Sequence, residues 1–173
     1  MKTIIYSPGD PAGIGPDIFL SLMHEGFFEY IKANVVCMGD KELFHSRSKE
    51  LGYSLEINSF SNINDINEKV GFLEIIKCHD ISSGILNSTN SEYVIENLDF
   101  AIDTCIKKMG FGLVTGPISK ENIIEGGYSF SGHTERIMQK TNSDNVLMLL
   151  ASERLKVALA TTHMPISKVP ESI

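Results

Sequence analysis

Apolar and polar positions along the first part of the chain follow two different periods. Residues 2–7 and 35–38 are short apolar runs, and residues 17–31 between them repeat apolar side chains every three or four positions. Short apolar runs are typical of buried strands, and the longer spacing is typical of one helix face. On that face we expect five residues to pack in the core: Ile18, Leu22, Met23, Phe27 and Ile31. The pattern therefore predicts strand, helix and strand.

The same alternation of strands and helices continues to the middle of the chain. Asp40 is placed to cap a helix that ends near Gly52, and Ser91 begins a longer helix with one apolar face that stops at Gly110. Further strands are predicted at residues 53–57, 72–78 and 111–114. Helices that alternate with strands over short connections indicate an α/β fold, with flanking helices and a largely parallel or mixed sheet.

Composition restricts the function classes. The 173 residues are 42% hydrophobic and 21% charged, with a net charge of −7, which is ordinary for a globular protein and argues against non-specific nucleic-acid binding. The sequence shows neither a signal peptide nor an apolar run of roughly 18 residues, so we expect a cytoplasmic protein without a membrane span. The cysteines, Cys37, Cys78 and Cys105, form no CxxC pair, and we expect three buried hydrophobic residues.

A loop rich in glycine and proline, residues 9–16, follows the first strand with the sequence GDPAGIGP. A dinucleotide fingerprint would need glycine where this chain has Ile18, and a P-loop would need a Gly-Lys-Ser/Thr sequence, which is absent. The pattern alone leaves two roles open, a loop that contacts a ligand and a turn that only sets the first helix.

A second group of turn residues leads to the best candidate for a binding site. Thr115-Gly116-Pro117 ends a strand, and Ser119 can cap a short helix that stops at Gly126-Gly127. Gly132 then allows a sharp turn before a helix that opens with His133 and Thr134. The start of a helix has unpaired N–H groups and a partial positive charge, and these two side chains add donors, so the segment suits an anionic ligand.

Lys120 and Glu135 are weaker candidates near the same segments. Lys120 could neutralise a phosphate beside the Thr-Gly-Pro turn, but the pattern fits an exposed lysine without a ligand in the first turn of a helix equally well. Two strand patterns, residues 146–151 and 155–161, then predict a hairpin that places His163 in a loop. From the pattern alone His163 is either a metal ligand or a hydrogen-bonded loop residue.

Four motifs together resemble the 4-hydroxythreonine-4-phosphate dehydrogenase family of pyridoxal phosphate biosynthesis. They are GDPAGIGP at 9–16, TGP at 115–117, SGHTE at 131–135 and ALATTHMP at 158–165. The resemblance covers residues 2–165 in order and corresponds to the N-terminal half of the family. It implies a two-lobed fold like that of isocitrate and isopropylmalate dehydrogenases, with residues 1–126 as the first lobe and 127–173 as the start of the second.

The resemblance also implies a reaction and its site. Family members oxidise 4-phosphohydroxy-L-threonine with NAD or NADP to a 3-oxo acid, which decarboxylates to 3-amino-2-oxopropyl phosphate. His133 and Thr134 match the substrate-binding pair, and His163 matches one of three histidines that hold a divalent metal such as zinc, cobalt or magnesium. The remaining ligands lie in a C-terminal half that this sequence does not include, so we expect these 173 residues alone to be inactive. A homodimer with a shared active site is implied as well, and no catalytic or cofactor-binding residue can be assigned.

Two alternatives remain at this point. His133 and Thr134 cannot by themselves recognise an amino group, so a related dehydrogenase for a threonate or erythronate 4-phosphate fits the same residues. A catalytically inactive fragment that binds a phosphorylated metabolite fits them too.

Overall fold

The computed structural model describes residues 2–144, 146–161, 164–171 and 173. Their contacts divide the chain into two compact units, Met1–Gly132 and His133–Ile173. The division falls shortly after the boundary expected at residues 126–127, and the role of residues 127–173 as the start of a second lobe stays a prediction. Within the described residues no helix is both long enough and apolar enough to span a membrane.

The first unit is built on a five-stranded sheet in which every neighbouring pair is parallel. The strands are β1 (Thr3–Ser7), β2 (Asn34–Met38), β3 (Ser59–Phe60), β4 (Val70–Leu73) and β5 (Gly112–Thr115), in the spatial order β3-β4-β2-β1-β5. The predicted α/β class with a largely parallel sheet is confirmed. The more specific likeness to isocitrate dehydrogenase stays a prediction.

Four α-helices accompany this sheet, and two of the predicted caps are present. The helices are α1 (Ile14–His24), α2 (Lys41–Glu50), α3 (Ser91–Ile106) and α4 (Lys120–Glu125). The Asp40 carboxylate accepts a hydrogen bond from the Glu42 N–H at 2.8 Å and caps α2. The Ser119 hydroxyl accepts one from the Asn122 N–H at 3.3 Å and caps α4. Three short 3-10 segments complete the unit: Phe27–Tyr30, Ile63–Asp65 and Ser88–Asn90.

Helices cover both faces of the sheet. Successive strand residues point to opposite faces, so Ile5 and Tyr6 of β1 report on the two sides. Tyr6 stacks on Phe19 of α1, with ring centroids 5.0 Å apart. Ile5 belongs to a buried cluster that includes Ala101 of α3. β1 is therefore buried on both faces, which explains why its sequence is a nearly continuous apolar run.

The strand predicted at residues 53–57 is wrong, and the one predicted at 72–78 ends earlier than expected. Residues 53–57 are irregular because Tyr53 contacts α1 and α2 and not a strand. Its ring stacks on that of His24 with centroids 4.2 Å apart, and its N–H donates to the carbonyl of Ser48. β4 instead pairs with Ser59–Phe60. It ends at Leu73, and the side-chain carboxylate of the next residue, Glu74, accepts a hydrogen bond from the Lys41 N–H at 3.0 Å.

The buried face predicted for the first helix is only partly right. α1 ends at His24, and the residues that it buries most deeply are Phe19 and Leu20. Ile18 is 44% exposed, and Phe27 is 46% exposed in the following 3-10 segment. The apolar residues of α1 are distributed around most of its circumference, so their spacing alone does not predict which face packs against the sheet.

The cysteines are free thiols with different degrees of burial. Cys37 is fully buried as expected, whereas Cys78 and Cys105 are only partly buried, so the prediction of three buried residues holds for one of them. Burial raises the pKa of the Cys37 thiol well above its usual range, and it raises the pKa of Cys78 with a further contribution from the Asp40 carboxylate. These thiols are therefore protonated at neutral pH and act as small packing groups.

The second unit contains the predicted helix and hairpin. It consists of α5 (His133–Thr141), β6 (Met148–Ala151), β7 (Lys156–Leu159) and a 3-10 segment, Ile166–Glu171. β6 and β7 pair antiparallel, and the turn is closed where the Ser152 N–H donates to the carbonyl of Leu155 at 2.8 Å. Most apolar side chains of this ribbon are exposed, including the consecutive residues Leu149 and Leu150, so both of its faces are apolar.

Candidate ligand site

The order of the strands identifies one edge of the sheet as a candidate ligand site. From β1 the chain passes through α1 to β2 on one side, and it later returns to place β5 on the other side of β1. Open parallel sheets bind ligands outside the carboxyl ends of their strands at such a switch point. Here Ser7 and Thr115 end the two strands and lead into residues 8–16 and 116–119. Both Gly-Pro motifs of the sequence therefore lie at this point.

The two loops pack backbone against backbone. The Asp10 N–H donates to the carbonyl of Pro117 at 3.2 Å. A Cβ atom placed on Gly9 would lie 2.2 Å from that same carbonyl oxygen, and one placed on Gly116 would lie 2.2 Å from the carbonyl oxygen of Pro8. Only glycine fits such contacts. The loop at residues 9–16 thus has a structural role, and its contact with a ligand stays a prediction.

Side chains from β1 and α2 fix the carbonyl groups of the first loop. Arg47 is buried; its Nη2 donates to the carbonyl of Pro11 at 3.1 Å, and its Nη1 donates to the Asp17 carboxylate at 2.7 Å. The Tyr6 hydroxyl donates to the carbonyl of Gly15 at 2.9 Å, and burial raises the pKa of this hydroxyl to about 12. The phenol therefore remains a hydrogen-bond donor throughout the neutral range, and the loop is held on two sides.

A buried carboxylate joins the first loop to α4, the helix that follows the second loop. The Asp10 side chain is 4% exposed; its Oδ1 accepts from the Ala12 N–H at 3.1 Å and its Oδ2 from the Asn122 side-chain amide at 3.4 Å. Burial raises the pKa of Asp10, and the two hydrogen bonds partly oppose that rise. Neither residue was a sequence candidate. The available signal was an aspartate in a Gly-Pro loop directly after a buried strand.

In the second unit the predicted substrate-binding pair begins a helix. α5 starts at His133, and Thr134 follows it; both side chains are partly buried. Gly132 immediately before them has a φ of 154°, which side chains other than glycine rarely adopt. The expected turn into a helix start is therefore present. The unpaired N–H groups of such a start suit an anion, and the binding role of His133 and Thr134 stays a prediction.

The remaining sequence candidates are less informative. Lys120 is exposed at the first position of α4, and Glu135 is exposed in the first turn of α5, so neither assignment is tested by its surroundings. His163 lies outside the described residues. Among the residues that the structure does describe, no group of three or more His, Cys, Asp or Glu side chains could hold a metal ion. These residues do not by themselves form a metal site.

Together these features define an α/β protein whose candidate ligand site lies at the carboxyl edge of a parallel sheet. The model of one family, described as pyridoxal phosphate biosynthetic protein PdxA, matches residues 31–173. The chain belongs to this family.

Individual relatives agree with this membership. A 4-hydroxythreonine-4-phosphate dehydrogenase from Sodalis glossinidius is 37% identical over 176 residues, covering 99% of this chain and 52% of the relative. One from Serratia proteamaculans is 35% identical over 174 residues, with 98% and 52% covered. The chain therefore spans about half the length of the curated relatives that it matches.

Solved structures show the same fold. The crystal structure of a 4-hydroxythreonine-4-phosphate dehydrogenase from Burkholderia phymatum matches with a TM-score of 0.85 at 22% identity, covering 97% of this chain and 52% of that one. The enzyme from Klebsiella pneumoniae gives a TM-score of 0.84 at 22% identity, covering 99% and 54%. At this level of identity the agreement concerns the fold alone.

Proposed function

We propose that the complete protein containing this chain is a dehydrogenase that oxidises 4-phosphohydroxy-L-threonine, with NAD or NADP as the acceptor and a divalent metal. The 3-oxo acid formed would lose carbon dioxide to give 3-amino-2-oxopropyl phosphate, in the biosynthesis of pyridoxine 5′-phosphate. Family membership and the names of the relatives support this proposal. The structural observation that carries it is the position of His133 and Thr134 at the start of α5.

These two residues account for the binding of a phosphorylated substrate. Phosphate oxygens accept hydrogen bonds, and the first turn of a helix provides backbone donors and a favourable partial charge. A histidine and a threonine side chain at the same turn add two further donors. Hydrogen bonds to an ionised group are the stronger kind, so this segment of the chain would bind and orient the substrate.

The described residues do not identify where the metal and the nicotinamide cofactor bind. A tightly bound divalent ion needs several protein ligands, and the described residues provide no such cluster. The sequence also has no dinucleotide fingerprint. We therefore assign no chemical step to either group within this chain. Dependence on both groups, a homodimer with a shared site and a cytoplasmic location are part of the proposal, and they rest on the resemblance to the family.

The metal assignment predicts the effect of one substitution. In the complete protein, His163→Ala should lower metal-dependent NAD reduction by about 100-fold, because a metal site that loses one of its few ligands binds the ion weakly. The rate is measured with 4-phosphohydroxy-L-threonine before and after chelation and metal addition. His45→Ala, which changes an exposed histidine on α2, is the matched control and should leave the rate unchanged. Full activity of the His163 variant would contradict the assignment.

A second prediction separates the substrates. A phosphate-binding pair such as His133 and Thr134 does not distinguish an amino group from a hydroxyl, so threonate and erythronate 4-phosphates are the natural competitors. We expect kcat/KM to be at least about 10-fold higher for 4-phosphohydroxy-L-threonine, the difference that one buried polar contact can provide. A preference for either four-carbon acid would favour the related dehydrogenase. Binding of all three compounds without any NAD reduction would favour the inactive form.

A further inference from the structure

We propose that Asp10 and Asn122 are positioning residues, which hold the two loops of the switch point at the separation that the dehydrogenase site requires. The inference rests on the proposed function, because it assigns a catalytic consequence to this contact. The two residues are 112 positions apart in the chain, and their side chains meet where β1 and β5 end. Neither of them is expected to touch the reacting atoms.

Asp10 contacts the second loop and the helix that follows it, α4, through two separate groups. Its N–H donates to the carbonyl of Pro117, and its carboxylate accepts from the Asn122 amide. The same carboxylate also accepts from the Ala12 N–H, and the carbonyl of Asp10 accepts from the Gly13 N–H at 3.0 Å. Asp10 therefore contributes both to the shape of the first loop, which Arg47 and Tyr6 also hold, and to its distance from the second.

Asn122 transmits this position to two helices. Its side chain reaches Asp10, while its carbonyl accepts from the buried Ser91 hydroxyl of α3 at 3.0 Å. A Cβ atom on Gly126, at the end of α4, would lie 2.1 Å from the Ser91 hydroxyl oxygen, so the end of α4 packs closely against the start of α3. The start of α4 and the turn that precedes it are thus fixed between Asp10 and Ser91.

A buried carboxylate and a buried amide contribute less to stability than apolar side chains would at the same contact between the first loop and α4. Both side chains are buried, and removing polar groups from water costs free energy that apolar contacts would not incur. A directed hydrogen bond instead defines the distance and the orientation of its partners. The pair lies at the sheet edge where parallel α/β proteins bind ligands, so a defined geometry matters most there.

The test exchanges the two groups in the complete protein. Asn122→Asp brings two carboxylates together and should lower kcat for 4-phosphohydroxy-L-threonine by about 10-fold with KM changed less than about threefold, since small displacements of a site mainly reduce turnover. Adding Asp10→Asn restores one carboxylate and one amide in reversed order, and it should return kcat to within about threefold of the unsubstituted protein. Asn67→Asp, at an exposed position, is the control for the added charge.

The urea midpoint is measured for every variant, so that lost activity is separated from lost folding. Asn122→Asp places a carboxylate in the first turn of α4, three residues after the Ser119 cap, where an acidic residue is favourable and the helix should persist. Recovery of kcat by the exchange supports the proposal. Unchanged kcat in Asn122→Asp, or no recovery in the double variant, overturns it while the proposed function stands. No turnover by the unsubstituted protein overturns the proposed function and this inference with it.

Discussion

Replacing Phe19 by alanine should lower the free energy of unfolding by about 4 kcal/mol, the largest effect that we expect from a single core substitution. Phe19 is 2% exposed. The centroid of its ring lies 5.0 Å from that of Tyr6, 4.9 Å from that of Phe28 and 5.6 Å from that of Phe72. The substitution removes the apolar area and the aromatic contacts together, and it leaves a cavity between α1 and the sheet. Urea unfolding followed by circular dichroism measures the difference.

The same helix region offers a matched control. Phe27→Ala removes an identical group, but this ring is 46% exposed, so the expected loss is about 1 kcal/mol. Equal losses in the two variants would show that the aromatic cluster does not organise the contact between α1 and the sheet. A changed denaturant slope would indicate a change in the unfolded or native state and not in stability alone.

Gly116→Ala should cost about 3 kcal/mol, because the added methyl group has no room. The new Cβ would lie 2.2 Å from the carbonyl oxygen and 2.7 Å from the carbonyl carbon of Pro8. Both contacts are with backbone, and the first loop cannot withdraw without loss of the hydrogen bonds from Arg47 and Tyr6. The loss appears in the urea midpoint.

Gly112→Ala is the control for that measurement, since Gly112 also belongs to the region of β5 and a Cβ there meets nothing within 4 Å. We expect its stability to change by less than about 0.5 kcal/mol. If Gly116→Ala were equally harmless, the two loops would have to be less tightly packed than the structure shows.

The strands that the sequence predicts correctly are those that appear as short, nearly continuous apolar runs. β1 and β2 lie inside the parallel sheet, where burial on both faces explains such a run, whereas β5 lies at the edge beside β1 and its residues are only partly buried or exposed. Ser59–Phe60 could not be recognised, because two residues in a polar stretch carry no periodicity. Residues 53–57 have the apolar pattern of a strand but do not form one, because Tyr53 packs on His24 and not in a sheet.

Among the caps and the candidate site, the features that depend on neighbouring residues in the sequence can be predicted, and those that depend on distant residues cannot. Asp40 and Ser119 are capping residues that bond to N–H groups two or three residues away, so local sequence predicts them. The start of α5 at His133 is likewise visible from the glycine before it. The contact between Asp10 and Asn122 depends on the arrangement of five strands, and no local pattern contains that information.

The exposed ribbon of β6 and β7 sets a practical limit on work with these 173 residues. Leu149 and Leu150 point to opposite faces, both are exposed, and among the described residues the two strands pair only with each other. Unpaired strand edges next to apolar faces recruit other chains as additional strands. We therefore expect the polypeptide to self-associate through this ribbon as its concentration is raised.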